Sequence, residues 1–161
     1  NGRRRQRQMC IRDRPKAIRL KIMDFLSRRE HSSKEIYQKL SRRVESKEML
    51  LQSIEDLKRD GLLSDERFAE SYFQSRKRRG FGPLKIKNEL IQRGVKESFF
   101  YSLNEETDWP VFALDALKKK MNGKYPEGTK EILKLKSFLN YRGFEFHHID
   151  EAFLLLTKEN L

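Results

Sequence analysis

Histidines and acidic residues that could bind a metal or catalyse a reaction lie close together at two places in the sequence. His147 and His148 are adjacent on a predicted helix, where neighbouring side chains point about 100° apart and do not converge. No second pair of ligands accompanies them, so we predict two helix-surface histidines and no metal. Asp65 and Glu66 occupy the first turn of another predicted helix, where carboxylates complement the helix dipole. The sequence therefore indicates no catalytic residues, no cofactor and no enzyme activity.

A run of four cations, residues 76–79, precedes the glycine-rich segment 80–83. The segment lacks the glycine spacing and the following Lys–Ser/Thr pair of a phosphate-binding loop. Its glycines instead predict a sharp turn that brings the cations beside the next helix. Because cations also stabilise the last turn of a helix, the run has a structural explanation as well as a binding one. Arg76 ends a stripe with Phe68 and Tyr72, and we expect its head group to reach outward.

Composition sets the class of protein and of partner. Charged residues make up 37% of the 161 residues and the net charge is +12. Helix formers dominate and β-branched residues are few, which predicts an all-α protein. No apolar run approaches the roughly 20 residues that span a membrane, and a single cysteine, Cys10, favours a reducing compartment. A basic protein of this kind typically meets nucleic acid or a polyanionic assembly, although the excess charge could simply keep the surface soluble.

Nine segments carry apolar residues at helical spacing, and capping residues and glycines separate them. Ser32 and Glu35 form a capping box, while Ser46, Ser64 or Asp65, and Asp108 are predicted N-caps. Glycines predicted to end helices are Gly61, Gly80, Gly94 and Gly143. Aromatic residues predicted to lie in the core are Phe68, Tyr72, Phe99, Phe112, Phe138 and Phe153.

An internal repeat organises these helices. Lys85–Gly94 can be laid over Lys134–Gly143, and both segments end in Arg–Gly. Glu35–Val44 is a weaker third copy that lacks the glycine. Short helices bury little surface alone, so we predict an elongated tandem array of three three-helix repeats. The predicted ranges are 16–63, 64–107 and 108–161, following a basic, flexible segment at 1–15 that lacks the apolar stretch of a signal peptide.

One continuous window carries a resemblance to a known family. It reads D-E-R-F-A-x-x-Y at 65–72, G-x-G-P-x-x-I-x-x-E-L at 80–90 and R-G-V at 93–95. This window resembles the RecX family of recombination regulators, and a looser likeness covers residues 16–157. The residues that we expect to form the structural motif are Asp65, Phe68, Ala69, Tyr72, Gly80, Gly82, Pro83, Glu89, Leu90 and Gly94.

The resemblance implies a regulator, mainly an inhibitor, of the RecA recombinase. Such a protein binds in the groove of the RecA–DNA filament and restrains ATP hydrolysis, filament extension and strand exchange. We therefore expect a cytoplasmic monomer that binds the RecA filament, binds single- and double-stranded DNA weakly and without sequence preference, and does not contact a membrane. The predicted filament-binding residues are Arg76, Lys77, Arg78, Arg79, Phe81, Lys85, Lys87 and Arg93.

Two residues of this set, Lys85 and Arg93, each lie four residues from Glu89 in the sequence. We therefore expect the Glu89 carboxylate to neutralise both cations in part. Phe81, in a turn between basic segments, is predicted either to contact the partner or to fill the repeat junction. The alternative function is a free-standing helix-turn-helix DNA-binding protein, since a three-helix unit suits that role. A DNA reader would bind duplex alone with sequence preference, whereas a filament regulator would need the filament for tight binding.

Overall fold

The computed structural model describes residues 14–160, and within this range the chain forms α-helices joined by short turns, without strands. The predicted all-α class is confirmed. The predicted basic segment 1–15, with Cys10, lies outside the described residues except for Arg14 and Pro15. The nine helices of the described range are α1 Pro15–Arg28, α2 Ser33–Leu40, α3 Lys47–Arg59, α4 Asp65–Arg78, α5 Pro83–Gln92, α6 Glu97–Glu105, α7 Trp109–Met121, α8 Thr129–Tyr141 and α9 Phe146–Glu159.

Three of the four predicted N-caps form in the structure. The Ser32 hydroxyl accepts the Glu35 backbone N–H at 3.1 Å and the Glu35 carboxylate accepts the Ser32 N–H at 3.1 Å, which completes the capping box. Ser46 likewise accepts a backbone N–H in the first turn of α3. Asp108 stands at the predicted N-cap of α7 but its side chain makes no cap hydrogen bond. Pro110, the second helical residue, removes one of the N–H groups that such a cap would bind.

At the start of α4 the structure selects Ser64 from the two predicted caps, Ser64 and Asp65. Ser64 supplies the cap, because its hydroxyl accepts the Arg67 backbone N–H at 3.1 Å. The Asp65 carboxylate instead accepts two hydrogen bonds from Ser33, from the backbone N–H at 2.7 Å and from the hydroxyl at 3.1 Å. Ser33 is the first residue of α2, and the N–H groups in the first turn of a helix have no partner within that helix. Asp65 therefore joins the start of α4 to the start of α2.

The chain packs into two compact units. Within the described residues, the first comprises 14–71 together with Arg93–Val95, and the second comprises Tyr72–Gln92 and 96–160. Buried apolar side chains of α1, α2 and α3 form the core of the first unit. Its members are Ile18, Ile22, Ile36, Leu40, Val44, Leu50, Ile54, Leu57 and Leu63. Among the helices of residues 14–160, none has the length and apolar character required to cross a membrane.

The core of the second unit is aromatic. The Phe73 ring lies 6.0 Å from Phe100 and 5.6 Å from Trp109, measured between centroids. Trp109 in turn lies 6.2 Å from the centroid of Phe144. Rings from α4, α6, α7 and the α8–α9 turn therefore meet in one buried cluster.

The predicted core aromatics are only partly confirmed. Phe68 is buried as expected. Tyr72 and Phe99 are only half-buried, and the residue that follows each of them is the one that enters the core. Phe112 and Phe153 are also half-buried, because each lies at the edge of its apolar stripe beneath a lysine ammonium.

His31 is a buried titratable group of the first unit. Its Nδ1 lies 2.9 Å from the Arg29 carbonyl oxygen and its Nε2 lies 3.0 Å from the Lys39 ammonium. Lys39 donates to Nε2, so Nδ1 carries the proton and donates to the carbonyl, which describes a neutral imidazole. Burial lowers the pKa of His31 from its ordinary value, and the charges of Arg29 and Lys39 act in the same direction.

We expect this neutral histidine to make folding stability depend on pH. Because its pKa is lowered in the folded state, the unfolded chain binds the proton first, so the stabilisation is present above about pH 6.5 and is lost below it. Between about pH 7.5 and 5.5, wild type should lose more free energy of unfolding than His31→Gln. Urea denaturation followed by circular dichroism measures the difference. Equal losses in the two proteins would contradict a buried neutral His31.

Candidate functional site: a cation–aromatic surface

Two backbone segments of the second unit approach each other closely at Gly82. Its N–H donates to the Arg142 carbonyl oxygen at 2.8 Å, and the Leu84 N–H donates to the Gly143 carbonyl oxygen at 3.0 Å. A Cβ atom on Gly82 would lie 2.4 Å from the Gly143 carbonyl carbon. Gly80, with a φ of +86°, makes the predicted turn. Gly82 has a different role from the predicted one, because its missing side chain allows the start of α5 to contact the turn between α8 and α9.

This approach surrounds the Phe81 ring with cations. The guanidinium of Arg76 lies 3.7 Å from the ring centroid, that of Arg142 lies 4.7 Å away, and the Lys85 ammonium lies 5.0 Å away. Cations within about 6 Å of an aromatic face are attracted by its quadrupole. Half-buried Phe81 therefore gathers three positive charges from α4, α5 and the α8–α9 turn.

The alternation of cations and rings continues beyond Phe81. Arg142 and the Lys120 ammonium each lie 5.0 Å from the Phe138 centroid, and Lys85 lies 5.0 Å from the Tyr141 centroid. Phe138 is half-buried rather than a core residue as predicted, because its ring holds these cations. We call this set the cation–aromatic surface. Its members are Arg76, Phe81, Lys85, Lys120, Phe138, Tyr141 and Arg142.

A cleft of about 220 Å³ opens on this surface, and we call it the basic cleft. Its described lining contains four cations and no acidic residue. One of them, Lys119, pairs with Asp115 at 3.1 Å, and Arg142 donates to the Arg79 carbonyl oxygen at 3.2 Å. A concave site with positive charge in excess concentrates anions. The lining residues are Arg79, Gly80, Ala116, Lys119, Lys120, Phe138 and Arg142.

Arg76 does not reach outward as predicted. Its guanidinium donates to the Glu89 carboxylate at 2.8 Å, its side chain is only 20% exposed, and the Tyr72 hydroxyl donates to the same carboxylate. Glu89 therefore neutralises Arg76 across two helices, while the Lys85 ammonium lies over aromatic rings. The outward position of Arg76 was predicted from spacing within α4, and the partners of Glu89 were predicted from spacing within α5. The turn after α4 brings Arg76 within reach of Glu89, which no spacing within one helix indicates.

The other predicted cations lie in different surroundings. Lys77 lies over the Phe112 ring at 4.7 Å, and burial, then the charge of Arg78, lowers its pKa. Lys87 donates to the Tyr101 hydroxyl at 2.7 Å, and this hydrogen bond raises its pKa. Arg78 is exposed, and Arg93 belongs to the first unit. Of the eight predicted residues, three lie in the cation–aromatic surface and Arg79 lines the basic cleft.

Sequence reasoning missed the cations contributed by α7 and by the α8–α9 turn. Lys119 and Lys120 belong to a run of three lysines at 118–120, and Arg142 occupies the position of Arg93 in the aligned repeat. The lysine run also has an explanation within its own helix, because cations stabilise the last turn. The repeat alignment was the signal that could have marked Arg142 as a counterpart of a predicted residue.

A separate trio brings together Glu145, His147 and His148. Each histidine Nε2 lies 3.7 Å from Glu145 Oε2, and the two rings lie 4.0 Å apart. The prediction that the imidazoles do not converge is wrong, because both turn toward the carboxylate that precedes the helix. Burial, then the neighbouring His147, lowers the pKa of His148. The ligand atoms lie within 4.8 Å of one another, so the predicted absence of a metal stays a prediction.

Comparison with known proteins identifies the family to which this chain belongs. A family model described as the second three-helix domain of RecX matches residues 64–99. A regulatory protein RecX of Pseudomonas fluorescens Pf-5 is 37% identical over 135 residues, which cover 83% of this chain and 87% of the relative. The chain belongs to the RecX family. A RecX protein of Pseudomonas entomophila L48 is 36% identical over 142 residues, covering 87% of this chain and 92% of the relative.

Solved RecX structures have the same helical fold. The crystal structure of RecX from Lactobacillus salivarius matches with a TM-score of 0.77 and 22% identity, covering 89% of this chain and 96% of that one. A second crystal structure of a regulatory protein RecX matches with a TM-score of 0.70, covering 86% and 70%. The matched RecX segment 64–99 contains Arg76, Phe81 and Lys85 of the cation–aromatic surface, and the remaining four members lie outside it.

Proposed function

We propose that this RecX-family chain regulates, mainly by inhibition, the RecA recombinase. As a cytoplasmic monomer, it would bind in the groove of the RecA–DNA filament and restrain ATP hydrolysis, filament extension and strand exchange. Family membership supports the regulatory role, since the relatives are named regulatory proteins. The observation that carries the choice of partner is the cation–aromatic surface with its basic cleft, because a filament on DNA presents phosphates and protein together.

The geometry suits binding rather than chemistry. Arg142 is fixed by the Arg79 carbonyl and by two aromatic rings, so little side-chain entropy is lost when its remaining N–H groups bind an anion. Lys85 and Lys120 are similarly held over rings. Pre-positioned cations of this kind bind carboxylates or phosphates, and occupancy of the groove is then enough to restrain the filament. Screening by salt should weaken such binding in part, since the aromatic contacts persist.

Removing charge from this surface should weaken inhibition of RecA. We expect the triple variant Arg79→Gln, Lys85→Gln and Lys120→Gln to need about tenfold more protein for half-inhibition of the filament ATPase, about 1.4 kcal/mol. This size lies within the roughly 0.6–3 kcal/mol total of three screened contacts of roughly 0.2–1 kcal/mol each. The measurement is a titration of RecA on single-stranded DNA, with helical content checked by circular dichroism.

A matched variant controls for net charge. Arg28→Gln, Lys58→Gln and Arg59→Gln remove three exposed cations of the first unit, each of which already pairs with an acid on its own helix. This control should inhibit like wild type. A folded surface variant that also inhibits like wild type would contradict the proposal.

The DNA-reader alternative is tested by the same protein without RecA. A regulator should bind naked duplex only weakly, with a Kd on the order of micromolar or worse at physiological salt. The filament complex should survive added salt better than the duplex complex. Nanomolar binding to one duplex sequence, with no effect on the ATPase of the filament, would contradict the regulator proposal and support a sequence-specific DNA-binding protein.

A further inference from the structure

Tyr141 is the most exposed large apolar residue among those that the structure describes, at 78%. It is the last residue of α8 and precedes Arg142, which lines the basic cleft. The Lys85 ammonium lies 5.0 Å from its ring centroid. An aromatic ring left in solvent contributes little to the core. Its position beside a cleft that attracts anions suggests a role in binding.

We propose that Tyr141 is a stacking platform for one base of single-stranded DNA, and that the basic cleft takes a neighbouring phosphate. This inference rests on the proposed function, which brings the chain to a filament on a single strand. Proteins that bind single strands combine a positively charged groove with aromatic rings on which bases stack. The second unit has both features next to each other in the chain.

The exposed ring favours a single strand over other anionic partners. In duplex DNA the faces of the bases are already stacked on one another, so Tyr141 could meet only backbone and groove edges. An acidic peptide would satisfy the cations but offers carboxylates rather than flat rings to Tyr141. The Lys85 ammonium places a positive charge beside the Tyr141 ring, and most of the tyrosine surface is still exposed to solvent. A base that stacks there places its own phosphate within the field of Arg142 and Arg79.

Fluorescence anisotropy with a labelled thymidine oligonucleotide of about 15 nucleotides tests the platform. Tyr141→Ala should weaken binding about tenfold, and Tyr141→Phe should bind like wild type because stacking needs the ring and not the hydroxyl. Tyr101→Ala is the matched control. Tyr101 is also an exposed tyrosine of the second unit with a lysine ammonium over its ring, that of Lys87 at 4.9 Å. This control should bind like wild type.

An abasic oligonucleotide of equal length separates stacking from charge. It keeps the phosphates and lacks the bases, so wild type and Tyr141→Ala should bind it equally. Tyr141→Trp should add an emission that is quenched by the thymidine strand and not by the abasic one. Trp109, the single natural tryptophan, is buried and adds a constant background. Unchanged thymidine affinity in folded Tyr141→Ala, or an equal loss on the abasic strand, would overturn the platform.

The platform and the proposed function fail separately. If Tyr141→Ala keeps full thymidine affinity while the charge variant loses inhibition of RecA, the platform is wrong and the function stands. If Tyr141→Ala loses affinity for thymidine but not for the abasic strand, while the charge variant inhibits RecA normally, the platform stands and the function is wrong.

Discussion

Phe73→Ala should destabilise the second unit by about 3–5 kcal/mol, the cost of truncating a fully buried phenylalanine. The Phe73 side chain has no exposed surface and lies between the rings of Phe100 and Trp109. Its removal forfeits the burial of the ring and leaves a cavity between the remaining rings. Urea denaturation followed by Trp109 emission measures the loss where it occurs, because that indole is buried in the same core.

An exposed position in the same unit provides the comparison. Leu84→Ala in α5 removes an apolar side chain that is nearly half-exposed, and we expect it to cost less than about 1 kcal/mol. A loss as small as this from Phe73→Ala would show that the ring is not enclosed. The difference between the two variants thus tests the register of α4 and not merely the presence of a helix.

The placement of helices was predictable because the signals are local. Ser32 and Glu35 satisfy each other's backbone within one turn, and Gly80 and Gly143 take the left-handed conformation that ends α4 and α8. The register of the apolar stripe in α4 was less predictable, because helical spacing does not choose between two adjacent aromatic residues. Phe73 enters the core while the hydroxyl of Tyr72 donates to Glu89 on α5, a contact between helices that the sequence does not display.

The candidate site was predictable only where its residues are close in sequence. Arg76, Phe81 and Lys85 lie within ten positions of one another, and composition alone marks that stretch as basic. Lys120 and Arg142 join them through contacts between distant segments, which depend on the backbone approach at Gly82. Spacing rules describe neighbours on one helix, so they could indicate neither this approach nor the pairing of Arg76 with Glu89.

That backbone approach gives the second large prediction. Gly82 does not adopt a left-handed conformation, so its backbone conformation would accept an alanine if there were space for the Cβ atom. Space does not allow it, because an added Cβ would lie 2.4 Å from both the Gly143 carbonyl carbon and the Phe144 nitrogen. Backbone atoms cannot turn away as a flexible side chain can. The start of α5 would have to separate from the α8–α9 turn.

We therefore expect Gly82→Ala to cost about 3 kcal/mol, the upper range for overpacking, and to weaken the proposed inhibition of RecA by more than about tenfold. Both effects have one cause, since the separation breaks the hydrogen bonds from Gly82 and Leu84 and moves Arg142 away from Phe81. Urea denaturation and the filament ATPase titration measure them on the same preparation.

Gly123→Ala is the control that separates close approach from backbone conformation. Gly123 has a φ of +80° and nothing within 4 Å of an added Cβ, so alanine there should cost only the roughly 1–2 kcal/mol of a left-handed residue. The proposed inhibition of RecA should be unaffected by Gly123→Ala, because the turn that Gly123 occupies contributes no residue to the lining of the basic cleft. If Gly82→Ala is no less stable than Gly123→Ala and inhibits RecA equally well, the approach at Gly82 does not hold the cation–aromatic surface together.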